Sequence, residues 1–233
     1  MIPVTLLELT IRSVDDAPVD LGANPGSSLR GALYEALAAM YDTGDPARSR
    51  DDVETNPVAW LLRLEDAQVS GGHDVPRPIS IRPPLANHSP SATFGLAFYG
   101  RGRTAIPMVL SAVYSLQNMG MGRGRRPFQV VRVSALDPLS RQSTPLLDGA
   151  GRPQASAPEP LSPAAFERFA ALLDPDRIAI DFLTPTRILR EGHLCKEPLF
   201  APWFQRLLER LRVMSEVYST PVWIPFRELL EIA

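Results

Sequence analysis

The chain has 233 residues, 45% of them hydrophobic and 21% charged, enough for one large domain or two small ones with a real core. A formal net charge of −2 excludes an all-over basic coat, and a single cysteine, Cys195, excludes an intrachain disulfide or a cysteine-rich metal site. No stretch approaches the ~20 apolar residues of a membrane span, and MIPVTLLELTIRS lacks the basic start of a signal peptide, so a cytoplasmic protein is expected.

Among the 24 basic residues Lys196 is the only lysine. Planar guanidinium groups suit phosphate and base edges, but a GC-rich coding bias gives the same composition, so position has to decide. VTLLELTIRSV (4–14) is rich in β-branched and apolar residues and reads as a strand. After a turn-rich connection, Ser27 or Ser28 caps a helix reaching about Tyr41, with Leu29, Leu33, Leu37 and Met40 on one face. Residues 42–56 read as surface loop, and Asn56-Pro57 opens a short helix, VAWLLRLED.

VPRPISIRPPL, with Pro76, Pro78, Pro83 and Pro84, is expected as an edge strand or an extended loop. TFGLAFY (93–99) is a better strand. Residues 105–116 place Ile106, Val109, Leu110, Val113 and Leu116 at helical spacing, with Pro107 in the first turn. Residues 128–133 return to a strand, with Phe128 and Val130 as apolar positions and Val133 as a further candidate. Strand, helix, strand, strand, helix, strand is the split βαβ, or ferredoxin-like, plan of an α+β domain, here residues 1–136. Two helices on one face of such a sheet leave the other free, as RRM domains do for RNA.

Residues 137–163, rich in Pro, Ser, Gly and Gln, read as a linker or long loop. Beyond it lie a helix (PAAFERFAALL), a strand (RIAIDFL, 177–183) and a hairpin turning at Glu191-Gly192. An amphipathic helix over 204–218 follows, with Leu207, Leu208, Leu211 and Met214 inward, and then FRELLEIA begins another helix. Residues 164–233 are therefore expected to form a second ferredoxin-like (RRM-like) domain, an incomplete one without further strands or a second glycine loop.

The most distinctive stretch is NMGMGRGRRPFQVVRV, residues 118–133. A dinucleotide fingerprint needs its glycines after a strand and before a helix; here they follow a helix and precede a strand. No Gly-Lys-Ser/Thr ending is present, so a P-loop is excluded too, and no cofactor is expected. What remains is a backbone able to approach another chain at Gly120, Gly122 and Gly124, with Arg123, Arg125 and Arg126 beside it. Outward-facing amides next to three arginines favour RNA phosphate over a bland turn. Arg101 and Arg103, in YGRGRTA, form a second arginine-glycine turn, expected at the opposite end of the preceding helix.

Four ordered stretches, LRGALYEAL (29–37), PRPISIRPP (76–84), NMGMGRGRRPFQVVRV (118–133) and IDFLTPTRILREGHL (180–194), carry a family likeness. They resemble the CRISPR-associated endoribonucleases that cut the repeat of the CRISPR precursor transcript, in the RAMP (repeat-associated mysterious protein) superfamily. The resemblance implies tandem ferredoxin-like domains, a glycine-rich loop before the fourth strand, and CRISPR repeat RNA or its crRNA product as partner, with other effector subunits nearby. It also implies metal-independent cleavage, in which a base takes the ribose 2′-OH proton, the oxygen attacks the adjacent phosphate, and a cation steadies the developing charge.

Many members carry a histidine in or just after the first helix, whereas residues 28–50 here contain none. The candidates for catalysis are therefore Arg30, on the first turn of the first helix, Tyr41, His73 in a glycine turn, and His193 beyond the hairpin turn. His88 reads as a solvated loop residue, Tyr34 as core, and Cys195 as a thiol without a nearby base; no metal set is expected. The competing expectations are a non-catalytic RAMP subunit that binds RNA as scaffold, and a partial protein with a structural role only.

Overall fold

A computed structural model describes residues 2–41, 61, 75–85, 89–155, 162–183, 186–190 and 193–232. The chain forms two compact units, one made of residues 3–161 and the other of residues 162–233 with the first two residues. The short helix expected from Pro57 lies, apart from Leu61, outside the described residues, as do the whole 42–56 loop, His73 and His88.

The first unit is built on β1 (Val4–Ser13), whose residues alternate strictly between faces. Thr5, Leu7, Leu9, Ile11 and Ser13 point inward and are buried, while Glu8, Thr10 and Arg12 point to the other side. Helix α1 (Pro25–Tyr41) buries Leu29, Leu33, Ala36 and Leu37, a stripe set by helical periodicity. Strands β2 (Ile79–Arg82) and β3 (Ser91–Tyr99) follow, then a 3-10 turn (Gly100–Ala105) and helix α2 (Ile106–Met119), which buries Val109, Ala112, Val113 and Leu116. The unit closes with β4 (Phe128–Leu136) and β5 (Ser143–Asp148).

The strands lie in the order β2-β3-β1-β4-β5, every neighbouring pair antiparallel. The first four reproduce the ferredoxin-like arrangement expected from the element order. Both helices bury their apolar stripes against the inward residues of the sheet, Phe94, Leu96, Phe98, Val130 and Val133 among them, in one continuous core. β2 is the edge strand that its flanking prolines allow, only four residues long.

β4 buries the apolar positions marked in the sequence, Phe128, Val130 and Val133, but reaches the last of them through an irregularity. In β4 the inward residues are Phe128 and Val130, then Val133 and Ala135. The pairing with β1 slips between Thr10 and Ile11, where Arg132 and Val130 are the successive partners and Val131 is left over. That bulge moves the inward set from even to odd positions, and Val131 is 47% exposed.

The segment 137–163, expected as a linker, contains β5, a fifth strand paired to β4 from Leu136↔Ser143 to Arg132↔Asp148. Polar flanks and Pro145 disguise it. Pro145 has no amide to donate, so it sits on an edge strand, at the irregularity of the ladder. Asp137 and Asp148 fix the turns at the two ends of the strand. Asp137 Oδ1 accepts from the amides of Leu139 and Ser140, and Asp148 Oδ1 from those of Ala150 and Arg152. These bonds, led by Ser140 for Asp137 and Arg152 for Asp148, hold both carboxyls below their ordinary range.

The second unit holds α3 (Pro163–Ala170), capped by the Ser162 hydroxyl, which accepts from the Ala165 amide. A hairpin of β6 (Leu189–Arg190) and β7 (His193–Leu194) comes next, at the place the sequence suggested, followed by α4 (Phe200–Tyr218) and α5 (Phe226–Ile232). Residues 177–183, expected as a strand, form no regular element and pair with no strand among the described residues, and Ile178 and Leu183 are exposed. Their β-branched pattern is genuine; a strand also needs a neighbour. In α4 the buried residues include Leu208, Val213, Met214 and Tyr218, whereas Leu207 and Leu211, expected inward, are partly exposed.

The fold makes a local prediction. Leu9→Ala empties a fully buried position and should cost about 2–5 kcal/mol in urea unfolding, while Val131→Ala, on the bulge, should stay within ~0.5 kcal/mol. Equal losses at the two positions would contradict the bulge.

Candidate nucleic-acid interface

The glycine loop starts where α2 stops. The Gly120 amide donates to the Leu116 carbonyl, ending the helix, and its φ of 75° lies in the left-handed region. A Cβ at Gly120 would stand 2.0 Å from the Arg125 carbonyl oxygen, so the loop's two arms touch there. The Met121 amide reaches the Arg126 carbonyl at 3.3 Å, closing the loop like a short hairpin.

The tip is tied to the segment that leads into α1. The Arg123 amide donates to the Asp20 carbonyl at 2.9 Å. A Cβ at Gly122 would lie 2.1 Å from that same oxygen, at a φ of 70°. Glycine at 120 and 122 thus permits close backbone approach, but the chain approached is this one. The amides of Gly120, Met121, Arg123 and Arg125 are all committed to carbonyls within the protein. In the loop only the amides of Gly122, Gly124 and Arg126 are left uncommitted among the described residues, so the expected concave run of N–H groups is broken up.

The three arginines differ. Arg125, at φ 45°, sends Nη2 to both carboxylate oxygens of Glu35 on α1, each at 3.0 Å. Arg126 pairs with Asp15 through Nη1 at 2.8 Å. The Arg123 side chain is exposed and makes no hydrogen bond or ion pair among the described residues. Asp15 also accepts from the Ser13 hydroxyl and the Ala17 amide, and these bonds, the hydroxyl first, lower its carboxyl below the ordinary range. Both ion pairs are about half exposed, so each contributes only ~0–1 kcal/mol and breaks easily.

The second arginine-glycine turn is elsewhere. It precedes α2, whose 14 residues put about 20 Å between the turn and the glycine loop. Arg103 Nε donates to the Thr5 hydroxyl at 2.7 Å, a bond to a buried partner that fixes the turn to β1. Gly102 is needed there because a Cβ would meet Pro78 at 2.6 Å. Arg101 is exposed.

Of the candidates for catalysis, Arg30 and Tyr41 share α1 but stand well apart along it. Arg30 is exposed on α1, and its side chain makes no hydrogen bond or ion pair among the described residues. Tyr41, eleven residues on and about 16 Å along the axis, packs against the core, as does Tyr34, whose ring lies 4.8 Å from the Arg77 guanidinium carbon. His193 is exposed on β7 of the second unit, paired in the ladder with Arg190, and Cys195 is half-buried nearby. His73 lies outside the described residues. Among the described residues no cluster of His, Cys, Asp and Glu could hold a metal ion.

The open face of the sheet lacks the stacking surface of an RRM. At its centre Arg82 on β2 reaches over β3 to Glu8 on β1, and Gly95 gives it room: a Cβ there would meet Arg82 Nε at 3.1 Å. Thr10 and Thr93 hydrogen-bond beside them at 3.1 Å. The aromatic residue on this face of β3 is Tyr99, at the strand end, with its hydroxyl 3.0 Å from that of Ser80.

Sequence reasoning missed Asp15, Asp20 and Glu35. Glu35 and Arg125 are 90 residues apart, and only the packing of α1 beside α2 brings them together. For the loop, Gly122→Ala should detach the tip from Asp20 and lower thermal stability. Gly124→Ala, with open space around it, should cost only the ~1–2 kcal/mol of a left-handed residue. Equal effects in a melting experiment would show that the Asp20 contact is unimportant.

Comparison with known proteins bears on residues 2–159, which match a protein-family model described as AF_1859_N, N-terminal domain. No curated protein matches the chain. Among solved structures, a chain of the Csm3-Csm4 subcomplex in the type III-A CRISPR-Cas interference complex is similar over 74% of this chain and 97% of its own, at 12% identity. Its TM-score of 0.36 is too low for anything to be transferred from it. The family model covers both helices and all five strands of the first unit together with the glycine loop, and the chain belongs to the AF_1859_N family.

Proposed function

We propose that this protein binds RNA through the glycine loop and the adjoining face of α1, as a RAMP-type subunit that holds CRISPR repeat RNA or crRNA among other effector subunits. The observation that carries this reading is the loop itself. Arg123, Arg125 and Arg126 project from a backbone that Gly120 and Gly122 fasten to α2 and to residue 20, so three guanidinium groups are presented from a fixed platform. Arg30 lies exposed on the helix that supplies Glu35, and Arg101 and Arg103 form a secondary basic turn at the far end of α2. The four sequence stretches that resemble those of CRISPR repeat-cleaving endoribonucleases support RNA as the loop's ligand class.

A scaffold role is favoured over cleavage by the separation of Arg30 and Tyr41 along α1, which keeps them from sharing one scissile phosphate. Metal-independent cleavage is the second reading. It is favoured by the free guanidinium of Arg30, which could steady the charge of an attacked phosphate. His73 and His193 are the proton carriers to test beside it.

Two measurements decide between them. In filter binding with repeat RNA, Arg123, Arg125 and Arg126 changed together to Ala should weaken affinity at least about tenfold. They should also remove about two units of slope from log K against log salt, the share of three phosphate contacts to a single strand. Unchanged affinity returns the loop to a plain turn. Incubation of the wild type with repeat RNA in EDTA should leave it intact; cleavage lost on changing Arg30, His73 or His193 would establish the enzyme.

A further inference from the structure

Two of the loop's three arginines are charge-balanced within the fold. Arg125 is held by Glu35 and Arg126 by Asp15, while Asp20 takes the Arg123 amide on its carbonyl and keeps its carboxylate on the Gly22 amide at 2.8 Å. Asp20, Arg123 and Arg126 line one small crevice, but the Arg123 guanidinium has no carboxylate partner among the described residues. A loop that reads as strongly basic in the sequence has two of its three charges matched where it stands.

We propose that Asp15 and Glu35 are built-in counter-anions that occupy Arg126 and Arg125 until RNA phosphate displaces them, leaving Arg123 as the first point of contact. The inference rests on the RNA-binding reading above and adds a gate to it. Both pairs have the exposure this exchange needs: Arg125 and Glu35 are 62% and 49% exposed, Arg126 and Asp15 54% and 55%. The displaced carboxylates return to water, so the exchange swaps one solvated ion pair for another. Arg125 uses a single nitrogen on Glu35, and the rest of its fork stays open to a phosphate oxygen that approaches from solvent.

The exchange also gives selectivity. An isolated anion gains little from replacing one carboxylate, because the other still opposes it. A polyanion that brings successive phosphates to Arg123, Arg125 and Arg126 displaces both together. The carboxylates therefore lower affinity for small anions and short fragments more than for a continuous RNA strand.

The test is a double-mutant cycle. A labelled oligouridine and a labelled repeat hairpin are titrated against the wild type, Glu35→Gln, Asp15→Asn, Arg125→Ala, and Arg125→Ala with Glu35→Gln, at fixed ionic strength. Glu35→Gln and Asp15→Asn should each tighten binding about two- to fivefold, the range available from an exposed pair. Glu35→Gln should have no effect once Arg125 is Ala, which separates release of this arginine from a general loss of negative charge.

Equal or weaker binding by Glu35→Gln and Asp15→Asn, with wild-type binding intact, would overturn the gate and leave the RNA-binding reading standing. Equal tightening with and without Arg125 would overturn it as well. Absence of binding by every protein would remove both. Binding by the carboxylate variants alone would support the gate in its strongest form. Both substitutions lie on exposed side chains, and superimposable melting curves confirm that the fold is kept.

Discussion

Strand β1 is hydrogen-bonded along both edges, to β3 on one side and β4 on the other, and the first unit is arranged around that double pairing. Because its inward residues are buried under the helices, β1 cannot slip by one position without turning Leu7, Leu9 and Ile11 to solvent. Its neighbours must adjust instead. β4 does so by extruding Val131, which restores Val133 and Ala135 to the core after Phe128 and Val130. The same fixed register sets Glu8 opposite Gly95, where Arg82 crosses to meet it, and so closes the middle of the open face with an ion pair.

With the sheet fixed, the place of the glycine loop follows. It bridges the end of α2 and the start of β4, and its tip meets the backbone of the segment that enters α1. Gly122 meets the Asp20 carbonyl at a distance no side chain allows, and Gly120 does the same with the Arg125 carbonyl. Glycine therefore serves the loop's internal fit first, and phosphate recognition falls to the side chains. Arg125 and Arg126 are paired with Glu35 and Asp15, so an anion that binds these two must compete with groups already there.

Much of the first unit was legible in the sequence because its signals are local. Alternation gave β1, helical spacing gave α1 and α2, and the prolines around residues 79–82 marked an edge strand. β5 was missed because Pro145 and its polar flanks look like a linker, and its status as a strand comes from its partner β4. Residues 177–183 failed in the opposite sense: a strand-like pattern with no described neighbour to pair with. For the site, the arginines and glycines could be read directly. Their carboxylate partners could not, since Arg125 and Glu35 meet only through the packing of two helices far apart in sequence. Three charges in four residues suggested an external anion, and the fold supplies internal ones for Arg125 and Arg126.

The central claim is that RNA lies over the glycine loop and α1 rather than across the open face of the sheet. Amide hydrogen exchange, with and without saturating repeat RNA, tests it most directly. Peptides that cover residues 20–35 and 118–127 should gain protection, while those from β2 and β3 should exchange as in the free protein. Protection confined to β2 and β3, with the loop unchanged, would contradict the account.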